Sequence, residues 1–377
     1  MHRKILSFSI INGFLALMAT PLLVKAGPEA PVSDKSVLLE PDHHSRPDSH
    51  APLGVMNDHT HKAGEIMFGY RYVFSHDEGI KEGSQSIPRS EVFHRYANDG
   101  FYTAAPVEMD MHMHMLEFMY APADWVTLMV MPMYMEMDMT MESRGGHGHG
   151  GHMEAMGHDH MAMGHEDMKS TLMNHGTAGW SDTLVTAMFP VINSDTSKVH
   201  LDLGLSIPTG SVNQKMHGAF THYMMQLGSG TWDIKPGLTY QGFAGDISWG
   251  AQAMGTFRLE DANDSGYRLG DAVDVTGWTA YRLCDWASVS ARLAWHNEGQ
   301  IEGHYNGAHN HSSPPDLQRN YGGDRLDAGL GINFLIPEGP LKGHRLAIEA
   351  LTPVYQNVNG IQLERDVTLY AGWQYSF

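Results

Sequence analysis

DVTLYAGWQYSF, residues 366–377, closes the chain. Read as an extended segment, it sorts its side chains by parity, because successive strand residues point to opposite faces. Val367, Leu369, Ala371, Trp373, Tyr375 and Phe377 share one face; Asp366, Thr368, Gly372, Gln374 and Ser376 share the other. Most termini fray, yet this one runs its alternation out to a final aromatic residue.

The same two-residue period recurs upstream. Ile66, Phe68, Tyr70, Tyr72 and Phe74 oppose Glu65 and Arg71. Val199, Leu201, Leu203 and Leu205 oppose His200 and Asp202, and Ile247, Trp249, Ala251 and Ala253 oppose Ser248 and Gln252. Val289, Ala291 and Leu293 oppose Ser290 and Arg292; Leu330, Ile332 and Phe334 oppose Asn333; Leu346 and Ile348 oppose Arg345 and Glu349. With segments near 107–120, 125–138, 179–191, 228–240 and 271–282, this predicts twelve strands. Short connections fall near 121–124, 192–197, 241–245, 283–285 and 337–342. Longer ones fall near 76–105, 139–178, 209–227, 260–270, 298–323 and 356–364.

An even strand number with short turns at one end and long loops at the other is the pattern of a single closed antiparallel transmembrane β-barrel. Closure pairs every backbone group in hydrocarbon and removes sheet edges. The alternative, a soluble two-sheet sandwich, leaves the terminal Phe and the alternating connections without a reason. Pro132, Pro190 and Pro236 fall in or beside expected strands. Each is expected at a bulge or a rim, since proline cannot donate to the ladder.

Residues 1–26 read as a signal peptide: a basic start (Arg3, Lys4), an apolar run, then Val24-Lys25-Ala26. A retained anchor is the alternative. A His-containing periplasmic segment (27–63) and the barrel (64–377) are expected to follow, in the bacterial outer membrane. No later run is long and apolar enough for a transmembrane helix. The net charge of −19 argues against nucleic acid and suits attraction of cations. One cysteine, Cys284, excludes an internal disulfide framework. No nucleophile–base constellation or phosphate loop marks an enzyme.

VEMDMHMHMLEFMY (107–120) and WVTLMVMPMYMEMDMTM (125–141) form the unusual hairpin. Met109, Met111, Met113 and Met115 fall on one parity with Glu117, and Met129, Met131, Met133 and Met135 on the facing one. Leu116, Phe118, Tyr120, Val126, Leu128 and Val130 make the better lipid face, so the methionines are expected in the lumen. Asp110, His112, His114, Glu136 and Asp138 share the lipid-face parity, so there the strands must project beyond hydrocarbon, a span needing only ~9–11 residues. Methionine also fills space, and a tightly packed interior is the bland reading. The functional reading is a thioether ladder for a soft ion such as Cu(I).

The loop 139–178 carries GGHGHGGHMEAMGHDHMAMGHEDM (145–168). Its candidate ligands are His147, His149, His152, Met153, Met156, His158, His160, Met161, Met163, His165 and Met168. His-rich tracts read as metal binding on composition, although ligand-free low complexity stays open. His43, His44, His50, His59 and His61 form a second set, with His59 and His61 as candidate ligands and an ordinary polar tail as the alternative. His304, His309 and His311 form a third. No spacing names a closed site, so several weak, exchangeable sites are expected, with no required cofactor and copper as the expected cargo. A general channel for small organic solutes and a surface metal buffer remain as other readings. Expected partners are outer-membrane lipid, the assembly machinery through the C-terminal strand, and periplasmic metal-handling proteins.

APLGVMNDHTHKAGEIMFGYRY (51–72), LGLSIPTGSV (203–212), QLGSGTWDIKPGLTY (226–240) and YAGWQYSF (370–377) resemble a group of bacterial outer-membrane transporters. That group is related to the channel family named for meta-pathway phenol degradation. The resemblance implies a barrel and passage of small molecules, and names no cargo.

Overall fold

The computed structural model describes residues 46–98, 100–144 and 170–377. The expected signal peptide, His43, His44 and the cluster from His147 to Met168 lie outside them.

Twelve antiparallel strands form the body. They are β1 (Ile66–Glu82), β2 (Ala104–Ala123), β3 (Val126–Met131, continued as Met133–Arg144), β4 (Ser170–Trp180, continued as Thr183–Asn193), β5 (Ser197–Ile207) and β6 (Asp233–Ala244). The remainder are β7 (Ile247–Arg258), β8 (Ala272–Cys284), β9 (Ala287–Glu298), β10 (Gly323–Leu335), β11 (Arg345–Val358) and β12 (Ile361–Ser376). Each pairs with its sequence neighbours. β1 also pairs with β12, Met67 opposite Ser376 and Tyr70 opposite Trp373, which closes the barrel. Among the described residues, no helix is long and apolar enough to cross a membrane.

The parity argument decides which face meets lipid. Phe68, Leu116, Phe118, Leu128, Val130, Leu201, Leu203, Leu238, Val289, Leu330, Ile348 and Leu369 are all exposed. Their strand neighbours Arg71, Glu117, Thr127, Asp202, Thr239, Arg292 and Glu349 are buried. A soluble monomer rarely exposes apolar patches of more than a few hundred Å², and hydrocarbon is the solvent that suits this band. β2 is 20 residues long and β1 is 17, well beyond the ~9–11 of a span. Above the apolar band their outer face turns polar: Tyr70 Oη sits 2.7 Å from His114 Nδ1, Tyr72 Oη 2.6 Å from His112 Nδ1, and His76 Nδ1 2.6 Å from Asp110. Those histidines mark the part of the wall that stands clear of the membrane, as expected.

Two connections differ from the sequence reading. The 139–178 loop is shorter, because β3 continues to Arg144 and β4 begins at Ser170, in register from Tyr134–Trp180 to Arg144–Ser170. Alternation persists through Met135, Met137, Met139 and Met141, and the ladder follows it. The expected long loop at 356–364 is instead the two-residue link Asn359–Gly360, with Gly360 at φ +60°. A register shift near Asp366 breaks the parity there: His76 pairs with Val367 but Asp77 with Arg365. The bulge swaps faces, so Ile361 and Leu363 are buried while Leu369 is exposed. The prolines behave as expected. Pro132 interrupts β3, Pro190 sits at a register shift against β5, and Lys235–Pro236 fall in a gap of the β6–β7 ladder.

Residues 46–63 form no free tail. They enter the lumen at the short-turn end, cross its lower half and leave at the same rim, where Ala63 N–H donates to Asp124. Wall side chains hold the segment by its backbone: Ser248 bonds Asp48 O, Arg71 bonds Leu53 O and Val55 O, Gln252 bonds Met56 O, and His200 bonds Asn57 O. A polar lumen face thereby satisfies the carbonyls of an irregular chain, as burial demands.

Candidate functional site

The lumen is built from two unlike arcs. Across β2 and β3, inward positions are mostly methionine, joined by Met67 of β1 and Met188 of β4. Register places Met109 opposite Met139, Met111 opposite Met137, Met113 opposite Met135, Met115 opposite Met133 and Met119 opposite Met129. Across β5–β12 the inward positions are largely polar, with Asp202, Gln252, Arg292, Asn333, Glu349 and Gln374 all buried. Arg292 Nε bonds Glu349 at 2.6 Å and Arg71 Nε bonds Glu117 at 3.3 Å, so these buried charges are paired.

The predicted methionines face inward as expected, but they pack rather than line an open bore. Met129 and Met131 join Met67, Met119, Leu184 and Met188 in a lower cluster, with Met115, Met133 and the lumen segment's own Met56 against it. Met109 and Met135 join Met137, Met139 and Met141 in an upper cluster, with Met111, Met113, Met224, Met225 and Leu227. Flexible thioethers fill the irregular space between wall, segment and loop.

Above the segment lies a cavity of about 220 Å³. Met139, Met224, Ile361 and Leu363 give it an apolar side; Asp77, Glu298, Arg325 and Arg365 give it a charged one. Arg365 bonds Asp77. None of the eight methionines singled out in the sequence touches this cavity; Met139 does.

The loop-end histidines are placed by the strands and loops around the cavity. His175 lies on β4 directly opposite Met139, not in the loop. Its ring is 5.1 Å from that of His222, whose Nδ1 bonds Asp316 at 2.7 Å. His309 and His311 bring their Nε2 atoms to 2.8 Å. In the lumen segment, His59 and His61 are buried with ring centroids 4.9 Å apart. His50, which belongs to the same set in the sequence, and Asp58, which the sequence does not single out, come together with His59 in one cluster. Only the compact DSHAPLGVMNDHTH run hinted at it.

A family model described as "Putative MetA-pathway of phenol degradation" matches residues 131–341. The chain belongs to this family. An outer membrane channel from Pseudomonas putida F1 has a similar structure, with a TM-score of 0.54 at 12% identity over 86% of this chain and 99% of that one. A Pseudomonas aeruginosa FadL homologue gives 0.41 at 10% identity over 83% and 90%. No curated protein matches by sequence. The family's member described here is thus a twelve-stranded barrel of the bacterial outer membrane, its exposed band in contact with lipid.

Proposed function

We propose that this barrel is a channel for small organic solutes, single-ring aromatic compounds above all. The supporting observation is the cavity above the lumen segment, apolar and sulfur-lined on one side and charged on the other. A cavity of about 150 Å³ accommodates benzene, so about 220 Å³ suits one substituted ring. Thioethers favour aromatic edges by about 0.3–1.5 kcal/mol per contact. Arg325 and Arg365 would receive a phenolic or carboxylate group. Family membership points the same way. Residues 46–61 fill the lower lumen, so passage requires that segment to shift. Vesicles reconstituted with the full chain test this: an aromatic carboxylate should enter well ahead of a disaccharide. Equal rates would remove the reading.

A second reading, passage of a soft transition-metal ion such as copper, draws on one specific contact. His175 faces Met139 across the ladder, and its Nε2 is buried without a hydrogen-bond partner among the described residues. Imidazole beside thioether is a soft donor set. The cluster from His147 to Met168 would collect ions above, and periplasmic metal-handling proteins would exchange them below. Copper flux lost on replacing Met129, Met131, Met133 and Met135 by Leu, with solute flux kept, supports this reading; unchanged copper flux removes it. In either reading the C-terminal strand would address the outer-membrane assembly machinery.

A further inference from the structure

The lumen segment carries a cluster that solute passage does not use. His50, Asp58 and His59 are all buried, and each offers one ligating atom within 4.8 Å of the others. The rings of His50 and His59 lie 4.0 Å apart. Asp58 lies alongside both, with one oxygen 2.8 Å from His59 Nδ1 and the other 3.8 Å from His50 Nδ1. That second oxygen also accepts the Ala51 N–H at 2.9 Å, which fixes the carboxylate. Asn57, at φ +53°, turns the chain back so that 58 and 59 meet 50; Asn tolerates this left-handed conformation better than most residues.

We propose that His50, Asp58 and His59 form a binding site for a divalent transition-metal ion. Two imidazoles and a carboxylate are the donor set of Zn²⁺, Cu²⁺ and Ni²⁺. The bland reading is a hydrogen-bonded turn, and it accounts for Asp58, Ala51 and His59 Nδ1. It does not account for His59 Nε2, which is buried and has no hydrogen-bond partner among the described residues. Leaving such an atom unsatisfied costs about 1–3 kcal/mol. Three protein ligands leave a coordination position open, so the ion would exchange. It would join the two ends of the 50–59 turn and stiffen the segment that fills the lumen. The site stands whichever solute the barrel passes.

The test uses the full chain in detergent, with His147, His149, His152, His158, His160 and His165 replaced by Ala to remove the His-rich stretch as a competing ligand. The protein is loaded with Zn²⁺, passed through a desalting column and assayed for metal by mass spectrometry. One ion per chain should remain, and His59→Gln should lower retention at least about tenfold, the loss of roughly 1.4 kcal/mol. Cu²⁺ loaded in the same way should give an electron-paramagnetic signal with two imidazole nitrogens, reduced to one in His50→Gln. Heat-modifiable gel migration verifies folding. Should His59→Gln not fold, His50→Gln answers the same question. No retained ion, or retention unchanged in the folded variant, overturns the proposal.

Discussion

Gly54 and Glu349 stand 295 positions apart and meet inside the barrel, where the Gly54 N–H donates to Glu349 Oε2 over 2.6 Å. The other oxygen accepts from Arg292 Nε at 2.6 Å. One carboxylate thus ties the lumen segment to the wall and neutralises the arginine beside it. A Cβ on Gly54 would run into the Arg292 guanidinium.

Gly54→Val should therefore unseat the segment. Losing a hydrogen bond to a charged group costs about 1.5–3 kcal/mol, about 10- to 150-fold in the balance between seated and unseated forms. Planar-bilayer recordings should show higher and longer-lived conductance than the parent. Unchanged conductance would mean that the segment does not limit passage.

The methionine wall should respond to volume more than to sulfur. Met129 is fully buried in the lower cluster. Met129→Ala should lower stability by about 2–5 kcal/mol, and Met129→Leu by less than about 1.5 kcal/mol. Urea unfolding from lipid vesicles reads both. Equal losses would show that the thioether itself matters there.

Strand number, inward methionines and outward apolar band were all legible because each rests on a period of two, which local sequence carries. The position of residues 46–63 was not legible. Its anchors are Gln252, His200, Arg71 and Glu349, scattered over four strands, and only closure of the barrel brings them together. The Asn359–Gly360 link was hidden by the bulge near Asp366, which breaks the parity on which the reading depended. His175 falls within the expected 139–178 loop, and its strand is dictated by pairing with β3. Asp58 carries no sequence signal of its own, because a lone carboxylate beside histidines has no fixed spacing to recognise.

The loop-end latch should loosen in acid. Asp316 accepts from His222 Nδ1 at 2.7 Å, from Ser313 N–H at 2.9 Å and from Ser313 Oγ at 2.8 Å. Burial pushes its pKa up, but the His222 and Ser313 contacts outweigh that and hold it below the ordinary 3.8. A depressed folded pKa contributes stability that is present above the unfolded value and is lost as pH falls through the folded one. Hydrogen exchange in the 299–322 loop should therefore rise as pH drops below the ordinary carboxylate range, beyond the intrinsic change. Asp316→Asn should flatten that dependence; a variant with the parent's profile would discount the latch.

The lipid face offers a direct check on orientation. Leu201 is exposed between the buried His200 and Asp202. Leu201→Arg should cost about 2–4 kcal/mol if it lies near the bilayer midplane, measured by urea unfolding from vesicles. No loss would place that side of β5 outside hydrocarbon.

The most direct test of the channel is uptake into vesicles holding the full chain, comparing a single-ring aromatic carboxylate with a disaccharide. Uptake in the parent should favour the aromatic compound, rise for both solutes in Gly54→Val, and fall for the aromatic compound alone in Met139→Glu, which puts a charge on the sulfur side of the cavity. Aromatic uptake no faster than the disaccharide's in the parent, and unmoved by either substitution, would contradict the account.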